Sequence, residues 1–147
     1  VNRYSAEVDF AEIERFYFKE GFENLEFEWF HEELEKVIGI NVYRVPFCKE
    51  EGYSVIKENN IELLLMKAEK LNDLETVMGS FLGIPDFRLQ NKNISEQKRY
   101  RFAYQQYLDE YVLPRERLKQ IYYENSYMDF FYTKEEIDGF YNKWLRD

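Results

Sequence analysis

The sequence predicts a single α/β domain over residues 1–147, dominated by helices and containing few, short strands. Three observations lead to this prediction. Apolar residues recur at helical spacing in several segments that begin at capping residues or end at glycine. Two short strand patterns flank the pair Asn59-Asn60. With 147 residues, 45% of them hydrophobic, the chain can form one core and is too short for two domains.

The first two helices are predicted before Gly39. Asp9, followed three residues later by Glu12, has the spacing of a helix N-cap, and that helix would run to Gly21. The next stretch, LEFEWFHEELEKVIG, has apolar residues on one helical stripe and ends at Gly39. The members of that stripe are Phe27, Phe30, Leu34, Val37 and Ile38.

Strands are predicted after Gly39. INVYRVPF alternates apolar and polar residues, and Pro46 restricts it to a sheet edge or a strand end. GYSVIKENNIELLLMKAEKL contains two strand patterns around Asn59-Asn60. The apolar run Leu63 to Met66 is typical of a strand covered on both faces, although propensity alone would allow a helix over Leu63 to Leu71.

Four further helices are predicted in the second half. Asn72 or Asp73 could cap LETVMGSFL, which stops before Gly83. A long helix would begin near Asn93 and carry an aromatic stripe, and Pro114 suits the first turn of PRERLKQIYYE. The aromatic stripe consists of Tyr100, Tyr104, Tyr107, Leu108 and Tyr111. Finally, Thr133 and Glu136 have the spacing of a capping box at the start of the last helix.

Composition excludes several classes of function. The net charge of -9 argues against nucleic acid as a partner, and no apolar run approaches the length of about 20 residues that spans a bilayer. A single cysteine, Cys48, forms no intrachain disulfide and favours a reducing, cytoplasmic compartment. With His31 as the sole histidine, we expect no metal site. Neither a GxxxxGK loop nor a GxGxxG turn occurs, so the sequence contains no phosphate-binding loop.

One segment is basic within this acidic chain. Between Arg88 and Arg101 five basic residues oppose one acid, Glu96, which gives a local balance of +4. The basic residues are Arg88, Lys92, Lys98, Arg99 and Arg101. Such a run is typical either of a solvated helix face or of a surface that faces an anion, and the sequence leaves both interpretations open.

The order of several short motifs resembles the C-terminal portion of bacterial sulfotransferase-like proteins connected with capsular polysaccharide biosynthesis. From about Glu28 onward these motifs are EWFHEELEKVIGINVYRVPF, GYSVIKENNIELLLMKAEKL, FLGI, NISEQKRYRFAYQQY, LPRERL and FFYTKEEI followed by a Trp. The resemblance implies the P-loop superfamily, with a three-layer fold. It also implies sulfuryl transfer from 3'-phosphoadenosine 5'-phosphosulfate to a glycan hydroxyl. With the basic segment, it predicts that Asn93, Lys98, Arg101 and Tyr104 contact a donor or acceptor anion, with Lys98 neutralising charge.

The donor-binding loop of that family has no counterpart in the sequence, which begins at Val1. We therefore expect the chain to be the C-terminal part of a larger protein, whose N-terminal region or another subunit would be its partner. The alternative hypothesis is a non-catalytic interaction or scaffold module, in which the aromatic stripes and Leu63 to Met66 pack against that missing region or subunit.

Overall fold

The computed structural model describes residues 9–15, 28–90, 98 and 100–145. Within these ranges six α-helices, one π-helix and one β-hairpin follow each other along the chain. The helices are α1 (Phe10–Glu14), the π-helix (Phe30–Ile38), α2 (Glu75–Leu82), α3 (Arg101–Glu110), α4 (Arg115–Tyr122), α5 (Ser126–Phe131) and α6 (Lys134–Trp144). The strands are β1 (Tyr53–Glu58) and β2 (Ile61–Met66), and short 3-10 turns lie at Val42–Arg44 and Ala68–Lys70.

The predicted hairpin is confirmed. β1 and β2 pair antiparallel from Tyr53 opposite Met66 to Glu58 opposite Ile61. Asn59 and Asn60 join them with φ values of 52° and 61°. Two consecutive left-handed residues are the requirement of a two-residue turn that follows the strand twist, and asparagine tolerates this conformation better than most residues.

Only one face of the hairpin is covered by the core. Ile56, Leu63 and Leu65 lie on that face, whereas Val55 and Leu64 oppose each other on the outer face, where Val55 is exposed. On the outer face of β2, Leu64 and Met66 are half-buried, so the predicted cover on both faces holds in part for β2. The described residues form a two-stranded antiparallel sheet, and the π-helix and α5 pack against one side of it. They contain no parallel sheet, so the fold is mixed α/β with helices dominant.

The core joins the hairpin to the π-helix and α5. Phe131 of α5 places its ring 5.6 Å from Phe30 of the π-helix and 5.1 Å from Phe47 between centroids. These separations are those of favourable aromatic pairs. The buried members of the cluster are Leu34, Ile40, Val42, Phe47, Ile56 and Phe131.

The second predicted helix is present, but its winding differs. Gly39 ends it with φ 76°, as predicted, and Leu34 is buried. Val37, predicted on the apolar stripe, is 69% exposed. A π-helix closes its hydrogen bonds over five residues instead of four, so each turn contains more residues and the 3.6-residue stripe no longer holds. The assignment of Phe27 lies outside the described residues.

The strand predicted over INVYRVPF is wrong. Val42–Arg44 form a 3-10 turn, although Ile40 and Val42 are fully buried as the apolar pattern indicated. Asn41 explains the difference, because its side-chain oxygen accepts from the backbone N–H of Tyr43 at 3.0 Å. Its amide nitrogen donates to Glu35 at 2.8 Å. Such local side-chain bonds compete with the hydrogen bonds of a strand.

Helix α2 begins without the predicted cap. Its N-cap residue is Leu74, and neither Asn72 nor Asp73 caps it. The preceding turns continue directly into the helix, with Leu74 N–H donating to the Lys70 carbonyl at 3.1 Å. The predicted stop at Gly83 is confirmed, since it takes the left-handed conformation at φ 66°.

The caps predicted at the starts of the first and last helices are confirmed. The α1 cap is confirmed by Asp9, which accepts from the Glu12 N–H at 3.0 Å. In α6, both bonds of the Thr133–Glu136 capping box are present. Helix α4 packs against α6 and buries Leu118 completely. None of the helices in the described ranges is long and apolar enough to cross a membrane.

Candidate functional site

A basic and aromatic surface lies at the start of α3. We call it the cationic aromatic surface and define it by Lys98, Tyr100, Arg101, Phe102 and Tyr104. Its three rings are largely exposed, at 56% for Tyr100, 70% for Phe102 and 44% for Tyr104. Large apolar groups in solvent are common singly, but here three fall within residues 100–104 close to two cations, which makes this end of α3 the candidate binding surface.

The structure brings three of the four predicted site residues together. Arg101 N–H donates to the Lys98 carbonyl at 3.2 Å, so these residues are one turn apart. Arg101 and Tyr104 are three positions apart in one helix and therefore neighbours on its surface. Asn93 lies outside the described residues.

The described basic residues between Arg88 and Arg101 do not lie on one surface. Arg88 lies beside α2, where its Nη1 atom is 3.7 Å from the Glu75 carboxylate. Lys92 and Arg99 are outside the described residues. In the described part of the segment, Lys98 and Arg101 thus supply the positive charge of the cationic aromatic surface, and Arg88 belongs to another place.

The cations have no acidic partner within the described ranges. Arg101 stacks on Phe102, with its guanidinium carbon 4.6 Å from the ring centroid. In these ranges neither the Arg101 guanidinium nor the Lys98 ammonium group forms a salt bridge. Stacking occupies the face of a guanidinium but leaves its N–H groups at the edge for a ligand.

The helix terminus adds to the positive potential. The N-cap residue Tyr100 makes no side-chain cap bond, and the first turn of α3 contains no acid. A helix N-terminus carries partial positive charge, so stability alone would favour an acid there and a base at the other end. Helix α3 has the reverse order, with Arg101 first and Glu110 last. This arrangement costs some helix stability and favours an anion at the first turn.

The predicted aromatic stripe packs in the interior at the C-terminal end of α3 and is exposed at its N-terminal end. Tyr107 and Tyr111 stack with centroids 4.8 Å apart, and Phe10 of α1 lies 5.5 Å from Tyr111. Burial, with smaller effects of Glu14 and Tyr107, raises the pKa of Tyr111 to about 12. Tyr100 and Tyr104 were predicted to face the core and instead are exposed.

Sequence reasoning missed a buried charged network around Lys67. The Lys67 side chain is 2% exposed and follows β2 directly. Its ammonium group donates to both carboxylate oxygens of Glu136, at 2.7 and 2.6 Å, and to the Lys49 carbonyl at 2.7 Å. It also lies 4.9 Å from the centroid of the Tyr132 ring. A lysine at the end of the apolar run LLLM was the available signal.

This network links the residue after β2 to α6 and has no donor left for a ligand. An ammonium group has three N–H donors, and Lys67 uses all three. Burial alone would raise the pKa of Glu136, but the hydrogen bonds from Lys67 and Thr133 and the charges of Lys67 and Lys70 lower it. Burial, the nearby Glu69 and Tyr127, the hydrogen bond to Glu69 and the charge of Glu136 raise the pKa of Tyr132. We interpret the network as a clamp between β2 and α6.

Metal-binding and nucleophilic groups are dispersed. His31 bonds Glu35 at 2.8 Å on the exposed side of the π-helix, and Cys48 is an exposed free thiol. The described ranges contain no group of three or more His, Cys, Asp or Glu side chains arranged to hold a metal ion.

The donor implied by the resemblance does not fit the described residues. In the sulfotransferase-like proteins that the sequence resembles, a Gly/Lys/Ser loop between a strand and a helix binds the phosphosulfate. Here β1 leads to β2 through Asn59-Asn60, and β2 leads into the 3-10 turn Ala68–Lys70. No described strand leads to a helix through such a loop. The described residues therefore contain no loop of this kind for the phosphosulfate.

Comparison with known proteins gives one match. A family model described as "Putative capsular polysaccharide synthesis protein", designated NKWYS, matches residues 9–133, which is most of the chain. No curated protein and no solved structure matches. The matched range includes the hairpin, the core and the cationic aromatic surface. The chain therefore belongs to the NKWYS family, whose model has that description.

Proposed function

We propose that this protein acts in capsular polysaccharide synthesis by binding an anion at the cationic aromatic surface. The anion is either an acidic glycan acceptor or the nucleotide of a sulfuryl donor. The observation that carries this proposal is that exposed rings at the first turn of α3 lie beside two cations that form no salt bridge with any described residue.

The chemistry of the surface suits these ligands. A sugar ring has an apolar C–H face that packs on an aromatic ring, and an adenine ring stacks on it. Arg101 and Lys98 would donate charge-assisted hydrogen bonds to a carboxylate, sulfate or phosphate. Tyr104 adds a hydroxyl beside Arg101, and Asn93 is proposed as a further contact.

The finer proposal concerns the reaction. By resemblance, the protein would transfer a sulfuryl group from 3'-phosphoadenosine 5'-phosphosulfate to a glycan hydroxyl. Such a transfer needs positioned reactants and neutralised charge more than covalent catalysis. Lys98 is the proposed charge-neutralising residue of this chain. The residues that hold the phosphosulfate would lie outside the described ranges.

Calorimetry with two ligands tests the proposal. Adenosine 3',5'-bisphosphate and a glucuronate-containing oligosaccharide are titrated separately into the chain and into the variant with Lys98→Ala and Arg101→Ala. We expect at least one ligand to bind, and the variant to bind it at least about tenfold more weakly, because two charge-assisted hydrogen bonds are lost. Binding should also weaken as salt is added.

A matched variant removes the same charge elsewhere. Lys36→Ala with Lys57→Ala deletes two exposed lysines, on the π-helix and on β1, and should bind as the unchanged chain does. Equal weakening in both variants would mean that net charge, and not this surface, attracts the ligand. If neither ligand gives a heat of binding, the proposal is contradicted.

A second candidate function is a non-catalytic interaction module. The outer face of the hairpin favours it, because Val55 is exposed opposite Leu64 and both edges of the two-stranded sheet lack a neighbouring strand in the described ranges. Unpaired edges and apolar faces promote association. Light scattering distinguishes the two functions: a chain that self-associates, and becomes monomeric with Val55→Lys, is an interaction module. A strictly monomeric chain argues against it.

A further inference from the structure

A pocket of about 500 Å³ lies between α2 and the loop that follows it, separate from the residues of the cationic aromatic surface. One wall is the outward side of α2, with the hydroxyls of Thr76 and Ser80 four residues apart. The other wall is the loop 84–88, which contributes Asp86 and Arg88. The pocket is open to solvent, since most of its lining residues are exposed, and its volume would admit one small molecule held partly in water.

The loop is fixed against α2 by three contacts. Ile84 N–H donates to the Gly79 carbonyl at 2.9 Å, and Leu89 N–H donates to Glu75 Oε1 at 2.8 Å. Between them, Phe87 approaches so closely that a Cβ at Gly79 would lie 3.0 Å from the Phe87 Cβ. The pocket is therefore formed before any ligand arrives, which lowers the ordering cost of binding.

The polar groups around the pocket suit hydroxyls rather than a strong anion. Glu75 accepts from the loop at Oε1, and its Oε2 faces Arg88 Nη1 at 3.7 Å, so the Asp86 carboxylate is the acceptor without a loop contact and Glu75 Oε2 is a second acceptor beside Arg88. Arg88 and the hydroxyls of Thr76 and Ser80 supply donors. The two carboxylates exceed the one guanidinium by a single negative charge, so an acidic ligand would be repelled.

The apolar groups complete the surface for a sugar ring. Ile84, Pro85 and Phe87 line the same pocket as the polar residues. A pyranose has hydroxyls around its rim and C–H groups on its faces, and this mixture of acceptors, donors and apolar atoms complements both. We propose that the α2 pocket binds one neutral, hydroxyl-rich sugar unit of the glycan. This inference rests on the proposed function, from which it takes the glycan as ligand.

Amide shift mapping with single sugars tests the pocket. Glucose, N-acetylglucosamine and glucuronate are titrated into the ¹⁵N-labelled chain. We expect the neutral sugars to shift the amides of 75–80, 84 and 86–89, with dissociation constants on the order of millimolar, as befits one small ligand. Glucuronate should shift these amides less. Saturating neutral sugar that leaves them unmoved would overturn the inference.

Variants at Thr76 assign the effect to the pocket. Thr76→Val removes the hydroxyl but keeps the shape of the side chain, and should weaken the neutral sugars about fivefold, whereas Thr76→Ser should bind nearly as the unchanged chain does. Ser126→Ala removes an exposed hydroxyl outside the pocket and serves as control. If Thr76→Val and Ser126→Ala have equal effects, the pocket assignment fails.

The two proposals fail separately. Calorimetry measures the binding of anionic ligands and its loss when Lys98 and Arg101 are replaced. Shift mapping measures the binding of neutral sugars and its loss when Thr76 is replaced. Anion binding without shifts at α2 would refute this inference and leave the proposed function in place. Shifts at α2 without anion binding would refute the proposed function and support a neutral sugar site alone.

Discussion

Lys67 shows what a single buried charge requires. Its ammonium group is removed from water, and Glu136 together with one backbone carbonyl replaces the lost hydration. Taking a charge out of water costs several kcal/mol, and a pair with full hydrogen bonding roughly compensates that cost. The network therefore adds little net stability as it stands, but the removal of either member leaves the other without its partner.

We predict that Lys67→Met destabilises the protein by roughly 2 kcal/mol. The figure is below the usual loss for a fully buried pair, because Glu136 keeps some contact with solvent. Denaturant midpoints measure the change. The control is Lys36→Met, which breaks an ion pair of the same 2.6 Å length on the exposed side of the π-helix and should leave the midpoint almost unchanged. Equal losses would show that burial is not the cause.

The same pair predicts how stability depends on pH. Interactions with Lys67 and Thr133 lower the pKa of Glu136 in the folded state. A lowered carboxyl pKa contributes stability above the pKa of the unfolded chain, near 4.3, and that contribution is lost as pH falls through the folded pKa. We expect the midpoint of the unchanged chain to fall more between pH 6 and pH 3 than that of Glu136→Gln. Parallel curves would contradict the assignment.

At the scale of elements, two helix interiors carry glycine for different reasons. Nothing lies within 4 Å of a Cβ at Gly139 in α6, whereas a Cβ at Gly79 in α2 would be 3.0 Å from both the Ile84 carbonyl oxygen and the Phe87 Cβ. Gly139 therefore carries only the entropic cost of glycine in a helix, while Gly79 permits a close approach of the loop.

We predict opposite effects of one substitution at these two positions. Gly139→Ala should raise the free energy of unfolding by roughly 0.5–1 kcal/mol, the usual preference of a helix for alanine. Gly79→Ala gains the same preference but displaces a backbone oxygen, and should lower the free energy of unfolding by about 1–2 kcal/mol. Urea unfolding of both variants measures this. A stabilised Gly79→Ala would mean that the loop moves freely.

Elements were predictable from sequence where the signal was local. Asn59-Asn60 and the Thr133–Glu136 capping box are short motifs whose hydrogen bonds depend on few neighbours, and both are present as predicted. The strand over INVYRVPF failed because one side chain, Asn41, diverted the backbone into a turn. The ion pair of Lys67 could not be predicted, because its partner Glu136 is 69 residues away and only the fold brings them together.

The candidate site was predictable only in part, for a related reason. Charge counting located Lys98 and Arg101, which remain together, but it also included Arg88, which lies in the loop after α2 and faces Glu75. The helical period placed Tyr104 in the core, although α1 covers the other end of α3. A periodic stripe states which residues share a face, but not how far along the helix that face is covered.

At the scale of the whole molecule, burial is uneven. The hairpin, π-helix and α5 share one core, whereas no residue of α3 is fully buried. Local opening requires less free energy where fewer apolar groups are buried. The candidate anion surface therefore lies on one of the least buried elements of the described structure.

Hydrogen exchange should resolve this difference. We expect the amides of α3 to exchange through local opening, with little dependence on denaturant, and the ladder amides of β1 and β2 to exchange through global unfolding. An anionic ligand at the cationic aromatic surface should slow exchange in α3 more than in the hairpin, since it binds only the closed helix. Equal protection of α3 and the hairpin would show that the molecule opens as one unit.

The two-residue turn at Asn59-Asn60 also has a consequence for the order of events during folding. Strands joined by so short a connection meet with little loss of chain entropy, and hairpins close on the order of 1–10 μs. The core surface formed by Ile56, Leu63 and Leu65 is thus available early. Phe131 must reach that surface from more than sixty residues away, so docking of α5 would follow hairpin closure and set the slower rate.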